Sequence, residues 1–332
     1  LFDAARRALA SAMIRYAGAR AFQGLVVLFA ASFAIYVLLG LMPGDPVDLM
    51  ASGNPDITPD DVRRLRELHG LDRPLAARYA DWLGALLQGD LGYSRIFNKP
   101  VLATVAPYLA NTAALMLAAF VLALAVGLPL GLLAASRRGG LLDGAINGFA
   151  FVSAATPTFW LALLMIVVFA VVLGWLPASA LPPPGEDGLV ARAAGLVLPV
   201  ATLATVSAGE YARHMRAAAS EALAQDWVRT ARAKGASEFR VLSGHVLRNA
   251  LVPVATVAAL GFGSLFSGAL VTETVFAYPG MGKLIYDAIM GSDFNLALAC
   301  LLAAAMLVIV ANFAADMVYA ALDPRIGFGG AR

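Results

Sequence analysis

Residues 106–135 read APYLANTAALMLAAFVLALAVGLPLGLLAA, thirty consecutive positions without an Asp, Glu, Lys or Arg. As a helix rising 1.5 Å per residue, this run would be about 45 Å long, enough to cross a hydrocarbon core of about 30 Å. A helix that is apolar on every side is a membrane span or the centre of a large core, and the length decides for the span. Further apolar runs occupy 22–42, 141–176, 196–214, 251–271 and 296–321. Of 332 residues, 60% are hydrophobic and 14% charged, with mean hydropathy +0.77, against about 45–50% and 25% in soluble domains. The expected fold is an all-α polytopic membrane protein with six transmembrane helices. A net charge of +2 gives no reason to expect nucleic acid as a partner. The single cysteine, Cys300, excludes an internal disulfide and a multi-cysteine metal site.

Upstream of the quoted run, a basic segment (1–21) leads into the first span (22–42). No A-x-A-like exit follows, so the span is expected to be retained. Pro43-Gly44-Asp45-Pro46 stops it. Residues 43–104 turn soluble and are expected to form a small helical insert. In it Thr58 can cap a helix, Pro59 suits the first turn, Asp60 and Asp61 complement the dipole and Gly70 can end it. Val62, Leu65 and Leu68 would share one face. A second insert helix starts at Asp72-Arg73-Pro74, carries Leu75, Tyr79, Trp82, Leu83 and Leu86, and stops at Gly89. Downstream, residues 105–322 hold five spans. The run 141–176 is about 54 Å as a straight helix and must tilt, kink or divide. Pro157, in Thr156-Pro157-Thr158, is the natural kink because proline removes one backbone hydrogen bond. Pro182-Pro183-Pro184-Gly185 ends that stretch, and a tail (323–332) follows the last span.

With the N-terminus cytoplasmic, fifteen Lys and Arg residues fall inside, among them Arg137, Arg138, Arg216, Arg229, Arg232, Lys234, Arg240 and Arg248. Only Arg192 and Lys283 lie in the short outer loops. Both termini are therefore expected in the cytoplasm. No Walker A motif exists: before Gly282-Lys283 stands Ala277 instead of glycine, and Leu284 follows instead of Ser or Thr. His69, His214 and His245 stand far apart, and HExxH, CxxC and GxSxG are absent, so neither a zinc site nor a hydrolase is readable. No cofactor is expected in this chain, which is not read as an enzyme.

The loop at about 219–249 carries the strongest local signals. Asp226 can cap a short helix, Arg232 and Lys234 suit its last turn, Gly235 fits the left-handed position after it, and Ser237 can cap the next helix. On charge alone this is a basic connector; the caps and hinge make it a docking elbow. Near the other end of the following span, Glu273 precedes Tyr278-Pro279-Gly280. A carboxylate at bilayer depth costs about 2.5–3.5 kcal/mol on insertion scales, so Glu273 must face protein or water. Two readings stand, holding the turn or lining an outer gate to a pore. Asp316 is expected to snorkel or to pair with a basic group, and Asn312 to bind helices together. Gly127-x-x-x-Gly131, Gly261, Gly263 and Gly268 suit close helix packing.

The loop resembles the EAA loop of ABC importer permeases. Asp226-Trp-Val-Arg-Thr-Ala-Arg-Ala-Lys-Gly235 and His245-Val-Leu-Arg-Asn-Ala-Leu-Val-Pro253 are similar to the dipeptide/oligopeptide/nickel branch, first-subunit type. Pro43-Gly-Asp-Pro46, Gly70-Leu-Asp-Arg-Pro74 with Gly89-Asp-Leu-Gly92, Glu273 to Gly282, and Leu322-Asp-Pro-Arg-Ile326 agree with that type. The resemblance spans residues 13–326. Departures from the general pattern are Arg229-Thr230 where Glu-Ala is typical, His245 for Ile, and Arg248 where proline follows Leu247. It implies an importer permease for peptides or peptide-like solutes in the bacterial inner membrane. Its partners would be a homologous second permease, two ATPase subunits that bind ATP and Mg, and a periplasmic or lipid-anchored solute-binding protein. By position, Asp226, Arg229, Thr230, Ala231, Arg232, Ala233, Lys234 and Gly235 would form the coupling helix. A secondary transporter or a channel subunit is the rival reading; the first would show inverted repeats with paired broken helices.

Overall fold

The computed structural model describes residues 2–41, 58–68, 72–182, 185 and 188–322. The Pro43–Pro46 stop, Gly70, Pro183–Pro184 and the tail from Asp323, together with the side chains of Leu65 and Leu68, lie outside the described residues. The helices are α1 (Phe2–Gly40), α2 (Pro59–Leu68), α3 (Leu75–Leu87), α4 (Val101–Ser136), α5 (Leu141–Ala155) and α6 (Thr158–Met165), which continues as a π-helix over Ile166–Val172. Then follow α7 (Leu189–Leu223), α8 (Asp226–Ala233), α9 (Glu238–Val275, π-helical over Val241–Val246), α10 (Met281–Met290) and α11 (Phe294–Leu322). Helix α1 runs unbroken from the basic segment into the first apolar run, because no proline interrupts Phe2–Gly40. Likewise α7 and α9 outrun their apolar stretches. Hydropathy marks the length that lipid covers, whereas a helix ends only where its hydrogen bonding ends.

Two compact bodies divide the chain. The first comprises 1–21, 112–278 and 308–332; the second, 22–111 and 279–307. In the first, α7 is the central helix, and small residues let its neighbours approach. A Cβ added to Gly127 of α4 would fall 2.7 Å from the Ala208 carbonyl oxygen, and one on Gly131 would fall 2.6 Å from Met215 Cβ. On α5 the close approach is reversed, with Gly209 of α7 against Ser153. Gly263 of α9 faces Asn312 of α11, and Asp316 accepts an ion pair from Arg20 of α1 at 3.2 Å.

The break expected at Pro157 is present. Thr156 and Pro157 are extended (ψ 119° and 135°), and α5 and α6 meet at 108°. One end of this body is marked by Asp143 of α5 paired with Arg216 of α7. The other is marked by Ala180, whose N–H donates to the Phe276 carbonyl at 2.8 Å. The bent pair carries the chain from the first mark to the second, so it makes one crossing. Among the described residues, five helices are long and apolar enough to span a membrane, and the bent pair counted as one span makes six.

In the second body, Tyr79 of α3 stacks edge-on with Phe29, Phe33 and Tyr36 of α1, and its hydroxyl lies 2.7 Å from that of Ser32. Helix α2 begins with a reciprocal cap: Thr58 N donates to the Asp61 carboxylate at 3.0 Å, and Asp61 N to Thr58 Oγ1 at 3.3 Å. A two-residue hairpin, Tyr93–Ser94 with Lys99–Pro100, has no counterpart in the expected all-helical insert. Asp293 holds it, accepting from Ser94 Oγ at 2.6 Å and Ile96 N at 3.0 Å while capping α11 through Leu296 N.

Candidate functional site

Helix α7 ends at Leu223, and the next two residues turn the chain. Gln225, not Asp226, takes the extended cap position (ψ 148°) and makes no side-chain cap bond. This corrects the cap expected at Asp226, which is the first residue of α8. Its carboxylate pairs with Arg229 at 3.3 Å, and its carbonyl accepts from Thr230 Oγ1 at 3.1 Å. One residue of α8, Val228, is fully buried. It joins Met215, Ala219 and Ala222 of α7 and Val241, Val246, Ala250 and Val254 of α9 in one apolar cluster, with Ala231 packed on its edge. Burying a valine contributes about 1.5–3 kcal/mol. That is enough to seat a two-turn helix, which would not persist alone in water.

The helix stops with both hydrogen bonds of a Schellman turn: Gly235 N to Arg232 O at 2.9 Å and Ala236 N to Ala231 O at 3.1 Å. Gly235 has φ +81°, in the left-handed region. Ser237 then caps α9, accepting from Arg240 N at 3.4 Å. Across the hinge, the Arg232 guanidinium grips Glu238 at 2.7 and 3.1 Å, and this hydrogen bonding raises the arginine pKa. Half-exposed, such a pair is worth about 1 kcal/mol or less. Arg229 and Arg232 therefore both have partners within the loop. What the elbow presents outward is a surface of Trp227, Arg229, Ala233, Lys234 and Phe239, all exposed.

The carboxylate of Glu273, near the far end of α9 from the elbow, is placed differently. Glu273, fully buried near the end of α9, accepts from Thr112 Oγ1 of α4 at 2.6 Å. Its carbonyl accepts from Tyr278 N at 2.8 Å, closing the turn. Burial, with the Glu273 charge adding to it, pushes the Tyr278 hydroxyl up to about 12. Pro279 and Gly280 belong to the second body, where the Pro279 carbonyl accepts from Asn111 Nδ2 at 2.8 Å and Gly280 occupies the cap of α10.

Sequence reasoning missed Asp143 and Arg216. Their only signal was an acid at the start of one apolar run and an arginine just past the end of another, 73 residues apart. It also missed Asp293, the pin of the hairpin. Among the described residues no cluster of His, Cys, Asp and Glu could hold a metal ion.

Residues 127–328 match the family described as binding-protein-dependent transport system inner membrane component, and residues 13–116 its N-terminal membrane component. The chain is 37% identical to the oligopeptide transport system permease protein AppB of Bacillus subtilis, covering 95% of this chain and 100% of that protein. It is 38% identical to the di/tripeptide transport system permease protein DppB of Pseudomonas aeruginosa, over 90% and 94% of the two. A Brucella suis protein named as a peptide permease is 39% identical over 95% and 99%. Among solved structures, a chain of the inward-facing MetNI methionine ABC transporter shares the fold, with TM-score 0.54 and 20% identity over 67% of this chain and 97% of that one. Matched over nearly its whole length, the chain belongs to the binding-protein-dependent transport system inner membrane component family.

Proposed function

We propose that this chain is the permease subunit of an ATP-driven importer for peptides or peptide-like solutes, forming half of a pore with a homologous second permease. The observation that carries the reading is the elbow. A short helix seated by one buried valine and stopped by a left-handed glycine offers a fixed, convex surface at the end of the two longest-packed helices, α7 and α9. A cleft on an ATPase subunit would receive residues Asp226 to Gly235 as a unit. Nucleotide-driven closure of two such subunits would then move the ends of α7 and α9. ATP and Mg belong to those partners; this chain supplies shape. A periplasmic or lipid-anchored protein would deliver the solute to the outer insert, with both termini of the permease in the cytoplasm. Relatives named for peptide transport support the cargo class. At the outer end, Glu273 with Tyr278, Pro279 and Gly280 would set the turn that frames the pore entrance.

The test is the complex purified with its co-encoded partners and reconstituted in vesicles with binding protein outside. Expected is ATP hydrolysis stimulated by peptide-loaded binding protein, with peptide accumulating in step. Uptake that follows an ion gradient and proceeds without ATP would refute the proposal.

A further inference from the structure

Asp143 is the third residue of α5, and only 4% of it is exposed. Its two oxygens are saturated by four donors: Arg216 Nε at 2.5 Å, Arg216 Nη2 at 2.8 Å, Gly139 N at 3.0 Å and Asn147 Nδ2 at 2.8 Å. Buried ion pairs are weak sources of net stability, since desolvation offsets most of the attraction. What a two-pronged arginine–carboxylate contact does supply is fixed distance and fixed orientation. Here it fixes the last two turns of α7 to the turn that starts α5.

That location matters because of what adjoins it on each side. Toward the elbow, Met215, next to Arg216, lies in the same apolar cluster as Val228 of α8. Gly131 of α4 approaches this point so closely that an added Cβ would fall 2.9 Å from Arg216 N, so α7 has no room to slide past α4 here. Away from the elbow, α5 runs from Asp143 to the 108° break at Thr156–Pro157, beyond which α6 packs on α7 and α9. Helix α5 is thus held at its start by a directional contact and ends at a bend. The contacts thus run from α8 through Val228 to the Met215 turn of α7, then to Asp143 and the bent span.

We propose that Asp143 and Arg216 are positioning residues that act as a strut, passing movement of the elbow to the α5–α6 broken span. This rests on the coupling role proposed for α8. A strut and a mere anchor make different predictions. An anchor matters for assembly alone; a strut matters for the stimulated cycle even when assembly is intact.

The experiment uses the whole reconstituted complex with Arg216→Lys and Asp143→Asn. Asn147→Ala, which removes one donor but leaves the strut, and Gly235→Val, which perturbs the elbow itself, are run beside them. Four quantities are read: co-purified ATPase, melting temperature, basal ATP hydrolysis, and hydrolysis stimulated by peptide-loaded binding protein. In Arg216→Lys and Asp143→Asn, stimulation should fall about tenfold, the size that mutations along a coupling route produce. Co-purified ATPase and basal hydrolysis should persist, and Asn147→Ala should stay within about twofold of the parent. Full stimulation in Arg216→Lys with stimulation lost in Gly235→Val would overturn the strut and leave the elbow assignment standing. Full stimulation in Gly235→Val would overturn the elbow assignment itself. Stimulation that declines only in proportion to melting temperature, or failure of both charge variants to assemble, would make the pair a folding element and refute the proposal.

Discussion

Replacing Gly235 isolates the contribution of backbone conformation to coupling, because the space around it is open. A Cβ built there meets no heavy atom within 4 Å, yet φ is +81°. Steric clash with neighbours therefore contributes nothing, and the cost of a side chain is that of the left-handed region alone. For an ordinary L-residue this is about 1–2 kcal/mol, which lowers the population of the correct elbow about 5- to 30-fold. Asparagine tolerates the region better and a β-branched residue worse. The expected order of peptide-stimulated ATP hydrolysis is Gly, then Asn, then Ala, then Val. Relaxing the strain would break the bonds from Gly235 N to Arg232 O and from Ala236 N to Ala231 O, tipping Lys234 and Arg232 away from their present positions. The assay titrates peptide-loaded binding protein against the purified complex and reads the maximal rate, with co-purified ATPase as a control for docking. Asparagine and valine giving equal rates would refute the conformational argument. A valine variant as active as the parent would refute the role of the elbow.

Three further outcomes follow from the geometry. Glu273→Gln keeps an acceptor for Thr112 Oγ1, so assembly and uptake are expected to survive within a few fold; uptake lost with normal assembly and normal ATP hydrolysis would instead place the carboxylate on the solute path. Gly131→Val puts branches where even a Cβ meets Met215 and Arg216, and should lower the yield and melting temperature of the purified complex, whereas Gly144→Ala, with nothing within 4 Å, should leave both unchanged. In a Cys300→Ala background, a cysteine at Ser237 should react with impermeant thiol reagents only from the cytoplasmic side and one at Asp61 only from outside. Labelling of both from one side would break the proposed orientation.

Local chemistry made much of the elbow legible. Left-handed glycine, the Ser237 cap and the basic last turn each depend on a few adjacent residues, and each is where the sequence places it. The cap at Asp226 failed because Gln225 is already extended, so the helix starts one residue earlier than a cap at Asp226 would set it and the aspartate falls inside it. Apolar runs located the spans, and proline located the break at Thr156–Pro157. Long-range polar contacts were not legible. Asp143 with Arg216, Ser94 with Asp293 and Arg20 with Asp316 join residues far apart in sequence. Nothing local to either partner names the other. The hairpin at Tyr93–Pro100 was hidden for a related reason: strands of two residues carry no alternation, and Asp293 holds them from the far end of the chain.

The contact between Arg20 and Asp316 also bears on how the chain is made. At about 5–20 residues per second, Arg20 leaves the ribosome some 15–60 s before Asp316. In the folded chain the guanidinium is 42% exposed and also donates to the Tyr16 hydroxyl at 3.2 Å. The aspartate arrives on the last helix, a stretch otherwise almost free of charge, and ends only 17% exposed. A cation already in place would ease admission of that helix to the lipid phase. A chain lacking Arg20 would meet its difficulty at the insertion machinery and membrane quality control, before any transport cycle begins.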